Sequence, residues 1–293
     1  MRKSFLLAIG HLLTLSLHAQ STMDLRQQIA QIAQSVPGRV GISARVVETG
    51  ESVDWHGDEQ FPMQSVYKFP IAMAVLHQVD QRKLTLNQTV HVDPSEYISK
   101  QQHSPLRDKY PTGADVSVSE LLRYAVSESD GSASDVLMRL AGGPSTIMAY
   151  LKGLGIKSII VANTEKELGS DQTIQYRNWA KPNEAVALLT LFQQGQGLST
   201  ASRSYLLKLM TDTETGLHRL KGQLPAETVV AHKTGTASTV NGVTAATNDI
   251  GLITLPNNRH LAIAVFVADA KADVATREAV IARLAKAVWD AWK

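Results

Sequence analysis

The sequence predicts an α+β fold: an antiparallel β-sheet completed by both ends of the chain and flanked by N- and C-terminal helices, with an all-helical lobe inserted between. Three observations predict it. Alternating or apolar β-type segments lie near both ends, helical spacing dominates the stretch between them, and 293 residues with 44% hydrophobic content can bury a large core. The predicted boundaries are 1–19 for a secretory signal, 20–61 and 211–293 for the two parts of the α/β lobe, and 62–210 for the helical lobe.

The first segment has Arg2-Lys3, an apolar run from Phe5 to Leu17 and the small residue Ala19, which is the layout of a signal peptide cleaved near Ala19-Gln20. The run is too short to span a bilayer, so a periplasmic, soluble mature protein is expected. Losing Arg2 and Lys3 leaves 27 basic and 27 acidic residues, and a neutral chain offers no electrostatic attraction for nucleic acid or an anionic membrane. There is no cysteine, which excludes disulfides, lipid attachment through Cys and thiolate chemistry. Of nine histidines, His11 and His18 fall in the signal and the others are scattered singly, so neither a metal nor another cofactor is expected.

Met23 to Ser35 carries Leu25, Ile29 and Ile32 at helical spacing and stops at Gly38, predicting a first helix. Val40, Ile42, Ala44 and Val46 alternate, and Glu51 to Trp55 follows the Thr49-Gly50 turn, predicting a β-hairpin. From Pro62 onward the helical segments are Ser65 to Asp80, Val118 to Leu140, Ser145 to Leu154, Pro182 to Gln193 and Ser199 to Met210. Thr228 to His232, Ala246 to Leu255 and His260 to Ala268 are β-rich, the last two joined at Pro256-Asn257-Asn258. An amphipathic helix, Ala275 to Trp292, closes the chain.

Three motifs carry chemistry. Ser65-Val66-Tyr67-Lys68 opens the helix after Pro62, and its i, i+3 spacing puts a hydroxyl and an amine on one face. The positive end of the helix dipole favours the anionic character that an attacking serine oxygen develops, and a neighbouring lysine can take its proton. Ser129-Asp130-Gly131 opens a helical run, and Lys233-Thr234-Gly235-Thr236 ends the apolar stretch Val229-Val230-Ala231. That strand end offers a cation and hydroxyls to a substrate carboxylate, and its glycine permits close approach of ligand to backbone. Each motif taken alone also reads as ordinary structure: Ser65 and Ser129-Asp130 as helix caps, Lys-Thr-Gly as a polar strand end. By composition a Ser-x-x-Lys arises about once in a chain this long and a Lys-Thr-Gly in about one chain in seven, so their joint order carries the weight.

That order resembles the class A serine β-lactamases over essentially the whole mature sequence; their pattern is Ser-x-x-Lys, Ser-Asp-Asn, Glu-x-x-Leu-Asn and Lys-Thr/Ser-Gly. The third motif is matched by Glu165-Lys166-Glu167-Leu168-Gly169. Tyr67-Lys68-Phe69-Pro70-Ile71-Ala72, Arg177-Asn178-Trp179 and His232-Lys233-Thr234-Gly235-Thr236 resemble the extended-spectrum branch typified by the PER and VEB enzymes. The resemblance implies the fold shared with penicillin-binding proteins, a monomer, and hydrolysis of β-lactam antibiotics that confers resistance. It implies Ser65 as nucleophile, Lys68 as its partner in proton movement, Ser129 as proton relay to the departing nitrogen and Glu165 as activator of the hydrolytic water. It further implies the backbone N–H groups of Ser65 and Thr236 as oxyanion hole, and Lys233, Thr234, Gly235, Thr236 and Arg219 as the substrate-binding side. Arg219 also reads as a solvated loop charge, and Glu167 is a rival for the base.

The chain departs from the family pattern in four places. Gly131 replaces an Asn that would grip the antibiotic, and Gly169 replaces an Asn that helps hold the water. Lys166 follows the catalytic Glu where many relatives have a cis bond; a cis bond before a non-proline costs about 3 kcal/mol, so a trans bond is expected. No Arg occurs from Ser158 to Thr164, so the ion pair usual at the neck of this loop is expected to be absent and the loop looser or differently routed. His103 either sits at the cleft mouth or is an exposed loop residue. Two other functions share part of this logic: a penicillin-binding DD-peptidase, which does not need the Glu165 loop, and a β-lactam receptor that stays acylated.

Overall fold

The computed structural model describes residues 23–171 and 173–293. The predicted signal, 1–19, lies outside the described residues. The first helix, α1, covers 23–33 and is followed by β1 (Arg39–Val46) and β2 (Ser52–Trp55), as the periodicity predicts. After the two-residue strand β3 (Phe61–Pro62) come a 3₁₀ turn, Gln64–Tyr67, and α2 (Lys68–Asp80). Next are β4 (Thr89–Val92), α3 (Pro105–Lys109), β5 (Ala114–Ser117), α4 (Val118–Val126), α5 (Gly131–Leu140) and α6 (Pro144–Gly153). The following loop carries β6 (Ile159–Ile160), α7 (Glu165–Leu168) and β7 (Trp179–Ala180), and α8 (Pro182–Gln193) and α9 (Thr200–Thr211) complete the lobe. The chain returns through β8 (Val230–Thr236), the small hairpin β9 (Thr239–Val240) and β10 (Val243–Thr244), β11 (Thr247–Thr254) and β12 (His260–Ala268) to α10 (Val274–Trp292).

The main sheet has the order β2-β1-β12-β11-β8, and every pairing in it is antiparallel. The two ends of the chain meet where β1 pairs with β12. Period-2 alternation divides the side chains between two cores. Ile42, Val46, Leu261, Ile263 and Val265 face one way and pack with Ile29 of α1 and Ile281 and Leu284 of α10. Ala262, Ala264 and Phe266 face the other way, toward Val186, Leu189 and Phe192 of α8. Alanines on that face let α8 lie close to the sheet.

The helical lobe differs from its prediction in three places. It also contains the strand pairs β4–β5 and β3–β7–β6. The single helical run predicted from Val118 to Leu140 is two helices, because Asp130 caps α5 by accepting from the Ala133 N–H at 2.8 Å and starts a new helix. Ser65 lies in the 3₁₀ turn that enters α2 rather than in the α-helix itself. From Phe69 to Leu76 every residue of α2 is buried, so this helix is apolar on all sides and forms a rigid post at the centre of the lobe.

Candidate active site

A cleft of about 640 Å³ opens between the sheet edge at β8 and the helical lobe, bordered by Ser65, Ser129, Glu165, Arg219, Thr234 and Thr236. Four distant stretches of the chain converge there. The turn carrying Ser65 is held against the sheet by Asn248, whose Nδ2 donates to the carbonyls of Pro62 (2.8 Å) and Met63 (3.1 Å). Gly235 lets β8 come this close: a β-carbon there would stand 2.3 Å from the Met63 carbonyl oxygen. The protein's own backbone therefore requires glycine at this position.

Lys68 is 1% exposed, and its ammonium donates to Ser65 Oγ at 2.9 Å and to the Ser129 carbonyl at 2.7 Å. Its Nζ is also 3.6 Å from Oε1 of Glu165. Lys233, fully buried on β8, donates to Ser129 Oγ at 2.7 Å and to the Thr234 carbonyl at 3.1 Å. Burial, and then the charge of Lys68, hold the Lys233 ammonium well below the usual lysine range. Ser129 therefore receives one lysine on its hydroxyl and the other on its carbonyl. It adopts a left-handed backbone (φ 60°), a costly conformation for serine that the capped helix start at Asp130 holds in place. The Asp130 carboxylate is itself buried and accepts from Ser104 Oγ (3.1 Å) and the Leu106 N–H (2.6 Å).

Glu165 opens α7, and its side chain is 15% exposed. The structure separates it from Glu167, whose Oε2 accepts from the Thr164 N–H at 2.8 Å in a reciprocal cap of the same helix, an arrangement that holds its carboxyl below the usual range. Five groups hold Glu165. Asp135 of α5 accepts from its N–H at 2.7 Å, and also from the Lys166 N–H at 2.9 Å. Gln102 Nε2 donates to its carbonyl at 2.6 Å. Lys68 faces Oε1, Tyr67 donates its hydroxyl to Oε2, and Gly131 leaves room for the stem. Burial, and then the nearby Glu165 charge, push the Asp135 carboxyl up to about 7, against the two N–H donors and Lys68.

Both glycine departures find a cause here. A β-carbon at Gly131 would stand 2.4 Å from Ile98 Cδ1 and 2.7 Å from Glu165 Cγ. One at Gly169 would stand 2.3 Å from Gln102 Oε1, so the amide that grips the Glu165 carbonyl fills that space. The Glu165–Lys166 bond is trans, as expected, and no cis bond occurs among the described residues. No ion pair spans the loop's neck among the described residues, also as expected. The neck is nonetheless closed. Asn178, fully buried, accepts from the N–H groups of Ala162 (2.8 Å) and Asn163 (2.9 Å) and donates to the Asn163 carbonyl at 2.8 Å. The loop is stitched by amides instead of being loose.

Arg219 is 5% exposed, which removes the solvated-charge reading. Its guanidinium donates to Thr236 Oγ1 (2.8 Å), the Asn248 carbonyl (2.9 Å), the Gly235 carbonyl (3.3 Å) and Glu278 Oε1 of α10 (3.0 Å). Asp249 fixes the adjoining backbone, accepting from the Leu220 N–H at 3.2 Å, and pairs with the buried His232 at 2.9 Å. Thr234 Oγ1 lies 2.6 Å from Thr215 Oγ1. His103 borders the cleft, its Nε2 donating to the Glu128 carbonyl at 2.8 Å. The motifs flag Ser65, Lys68, Ser129, Glu165 and the β8 residues. They do not flag Asp135, Gln102 or Glu278, which act through neighbours far away in sequence, and they flag Asn178 only within the Arg177-Asn178-Trp179 resemblance, without its role at the neck.

A family model described as "Beta-lactamase enzyme family" matches residues 24–292. The extended-spectrum β-lactamase PER-1 of Pseudomonas aeruginosa is 43% identical over 272 residues, which cover 92% of this chain and 88% of the relative. β-Lactamase VEB-1 of the same organism is 38% identical over 271 residues, covering 92% and 90%. The crystal structure of a β-lactamase from Chitinophaga pinensis superposes with a TM-score of 0.90 at 45% identity, covering 92% of this chain and 100% of that one.

Proposed function

Because the chain belongs to the β-lactamase enzyme family and is a PER- and VEB-like serine β-lactamase of class A, hydrolysing β-lactam antibiotics, we propose the route by which its residues do so. The observation that carries the reading is the position of Lys68 Nζ, 2.9 Å from Ser65 Oγ and 3.6 Å from Glu165 Oε1, one cation joining a nucleophile to a base. Ser65 Oγ attacks the lactam carbonyl as its proton passes, through water, to Glu165 or to Lys68 once the ammonium has given a proton of its own to Glu165 and become a neutral amine. The N–H groups of Ser65 and Thr236 stabilise the oxyanion, at about 3 kcal/mol per donor. The C–N bond then breaks, and Ser129 hands its proton to the ring nitrogen and is reprotonated from the neighbouring lysines, leaving an ester on Ser65. Glu165 takes a proton from a water that attacks this ester, and the proton returns to Ser65 Oγ as the acid leaves.

Lys233, Thr234, Thr236 and Arg219 present cations and hydroxyls to the substrate carboxylate. The extended-spectrum names of the relatives bring bulky cephalosporins within the expected range. The signal layout at the N-terminus supports a periplasmic location, and the resemblance to the family supports a monomer that confers antibiotic resistance.

Glu165→Gln tests the base. Mixed with a chromogenic cephalosporin, the wild-type protein turns over continuously, while the variant gives one stoichiometric burst and a trapped ester detectable by intact mass. Normal turnover by the variant would remove Glu165 from the mechanism. A single burst from the wild type would favour the receptor, and slow hydrolysis with transfer to cell-wall peptides would favour the DD-peptidase.

A further inference from the structure

Tyr67, the third residue of the Ser65-Val66-Tyr67-Lys68 motif, has no part in the mechanism above. It is completely buried, packed in the core of the helical lobe beside Phe69 and Val66. A buried tyrosine retains one polar group that needs a partner. Here the hydroxyl donates to Oε2 of Glu165 across 98 residues of sequence. Three observations show what this contact controls. The other carboxylate oxygen, Oε1, is the one that faces Lys68 at 3.6 Å. The side-chain amide that relatives of this pattern carry at position 169 is absent, and the room for it is filled by Gln102, which contacts the Glu165 carbonyl rather than its carboxylate. Burial, and then the charges of Glu165 and Asp135, hold the phenol far above the usual tyrosine range, so the hydroxyl keeps its proton and donates at any working pH.

We propose that Tyr67 is a positioning residue for deacylation, its hydroxyl fixing Oε2 of Glu165 so that Oε1 is presented to the hydrolytic water. The inference rests on Glu165 being the base. A phenol donating to a carboxylate forms a charge-assisted hydrogen bond, which sets the plane of the carboxylate. The other groups facing this carboxylate are Lys68 from α2 and Asp135 from α5, with the Lys233 charge on β8 further off. None of them grips Oε2. Without the hydroxyl the carboxylate loses its orientation, while the contact between Lys68 and Ser65 is left intact.

The test is Tyr67→Phe, which removes one oxygen and keeps the ring. Acylation, read as the burst rate with a chromogenic cephalosporin, is expected to stay within about threefold of wild type. Deacylation is expected to fall about 10- to 100-fold, less than the roughly 10²- to 10⁴-fold that a general base itself contributes, with the ester accumulating in the steady state. A merely structural tyrosine would lower the melting temperature and slow both steps together, and that result would overturn the proposal.

Glu165→Gln is measured in parallel. If it traps the ester while Tyr67→Phe behaves as wild type, only this inference is lost; if it turns over normally, the inference falls together with the base. A second readout uses the unmutated ring. In protein labelled with ¹³C at the tyrosine ζ-carbon, one of the seven tyrosine resonances is expected to shift between wild type and Glu165→Gln. An unchanged set would show that no tyrosine senses the carboxylate.

Discussion

The Cγ of Glu165 lies 2.7 Å from where a β-carbon on residue 131 would stand, so glycine at 131 and this placement of the carboxylate are a single feature. Any larger residue must displace Glu165, Ile98 or the first turn of α5. Gly131→Ala is expected to destabilise the protein by about 1–3 kcal/mol, the usual cost of overpacking. Deacylation is expected to slow more than acylation, because Ser65 and Lys68 do not touch this point. Urea unfolding and burst kinetics check both parts. A Gly131→Ala enzyme with wild-type stability and turnover would show that the contact relaxes at no cost.

Asp135 makes the native state sensitive to pH in a direction opposite to that of most acidic residues. Its carboxyl is pushed up to about 7 from an ordinary value of 3.8, so between those limits the folded protein holds a proton that the unfolded chain releases. Its contribution to stability is complete below about 3.8 and is lost as the pH rises through about 7. Asp135→Asn removes that slope. Measured by urea unfolding from pH 4 to 8, the variant is expected to gain on the wild type as the pH rises, by at most about 4 kcal/mol. Parallel stability curves would contradict the assignment.

Asn178 closes the neck of the Glu165 loop with three hydrogen bonds from one buried amide. Asn178→Ala leaves two N–H groups and a carbonyl without partners, at a cost of about 3 kcal/mol confined to the loop. Amide exchange in segment 162–178 is expected to accelerate while that of α2 and β12 is unchanged, and deacylation is expected to fall with it. Uniform acceleration across the molecule would place the cost in global stability instead.

Arg219 is held by Glu278 so that one edge of the guanidinium reaches Thr236 Oγ1. Arg219→Ala is expected to lower kcat/KM about 10- to 100-fold, the equivalent of losing one charged hydrogen bond to substrate. Arg219→Lys is expected to recover little, since an ammonium cannot serve Glu278, two carbonyls and Thr236 from one plane. Glu278→Gln is expected to fall between wild type and Arg219→Ala. Full activity in Arg219→Lys would reduce the role to charge alone.

Much of the fold was legible because it follows local rules. The alternation of Val40, Ile42, Ala44 and Val46 reads as a strand and is one, and α8 matches its predicted span from Pro182 to Gln193. The helix predicted from Val118 to Leu140 failed where a capping interaction outweighed continuous helical periodicity, at Asp130. The hairpin at Asn241-Gly242 was not read, although both residues have the left-handed backbone that such a pair favours. In the site, motif order was enough to single out Ser65, Lys68, Ser129, Glu165 and Lys233. It did not show why positions 131 and 169 are glycine, because the atoms that forbid a side chain there belong to Glu165 and Gln102.

The sequence by itself determined which residue types can do the chemistry and in what order they occur, since spacing along a helix or strand is a property of the local backbone. Only the tertiary structure decided how the base is held: Tyr67, Gln102, Asp135 and Gly131 meet Glu165 across gaps of 30 to 98 residues, and contacts at that separation exist only once the lobes have packed.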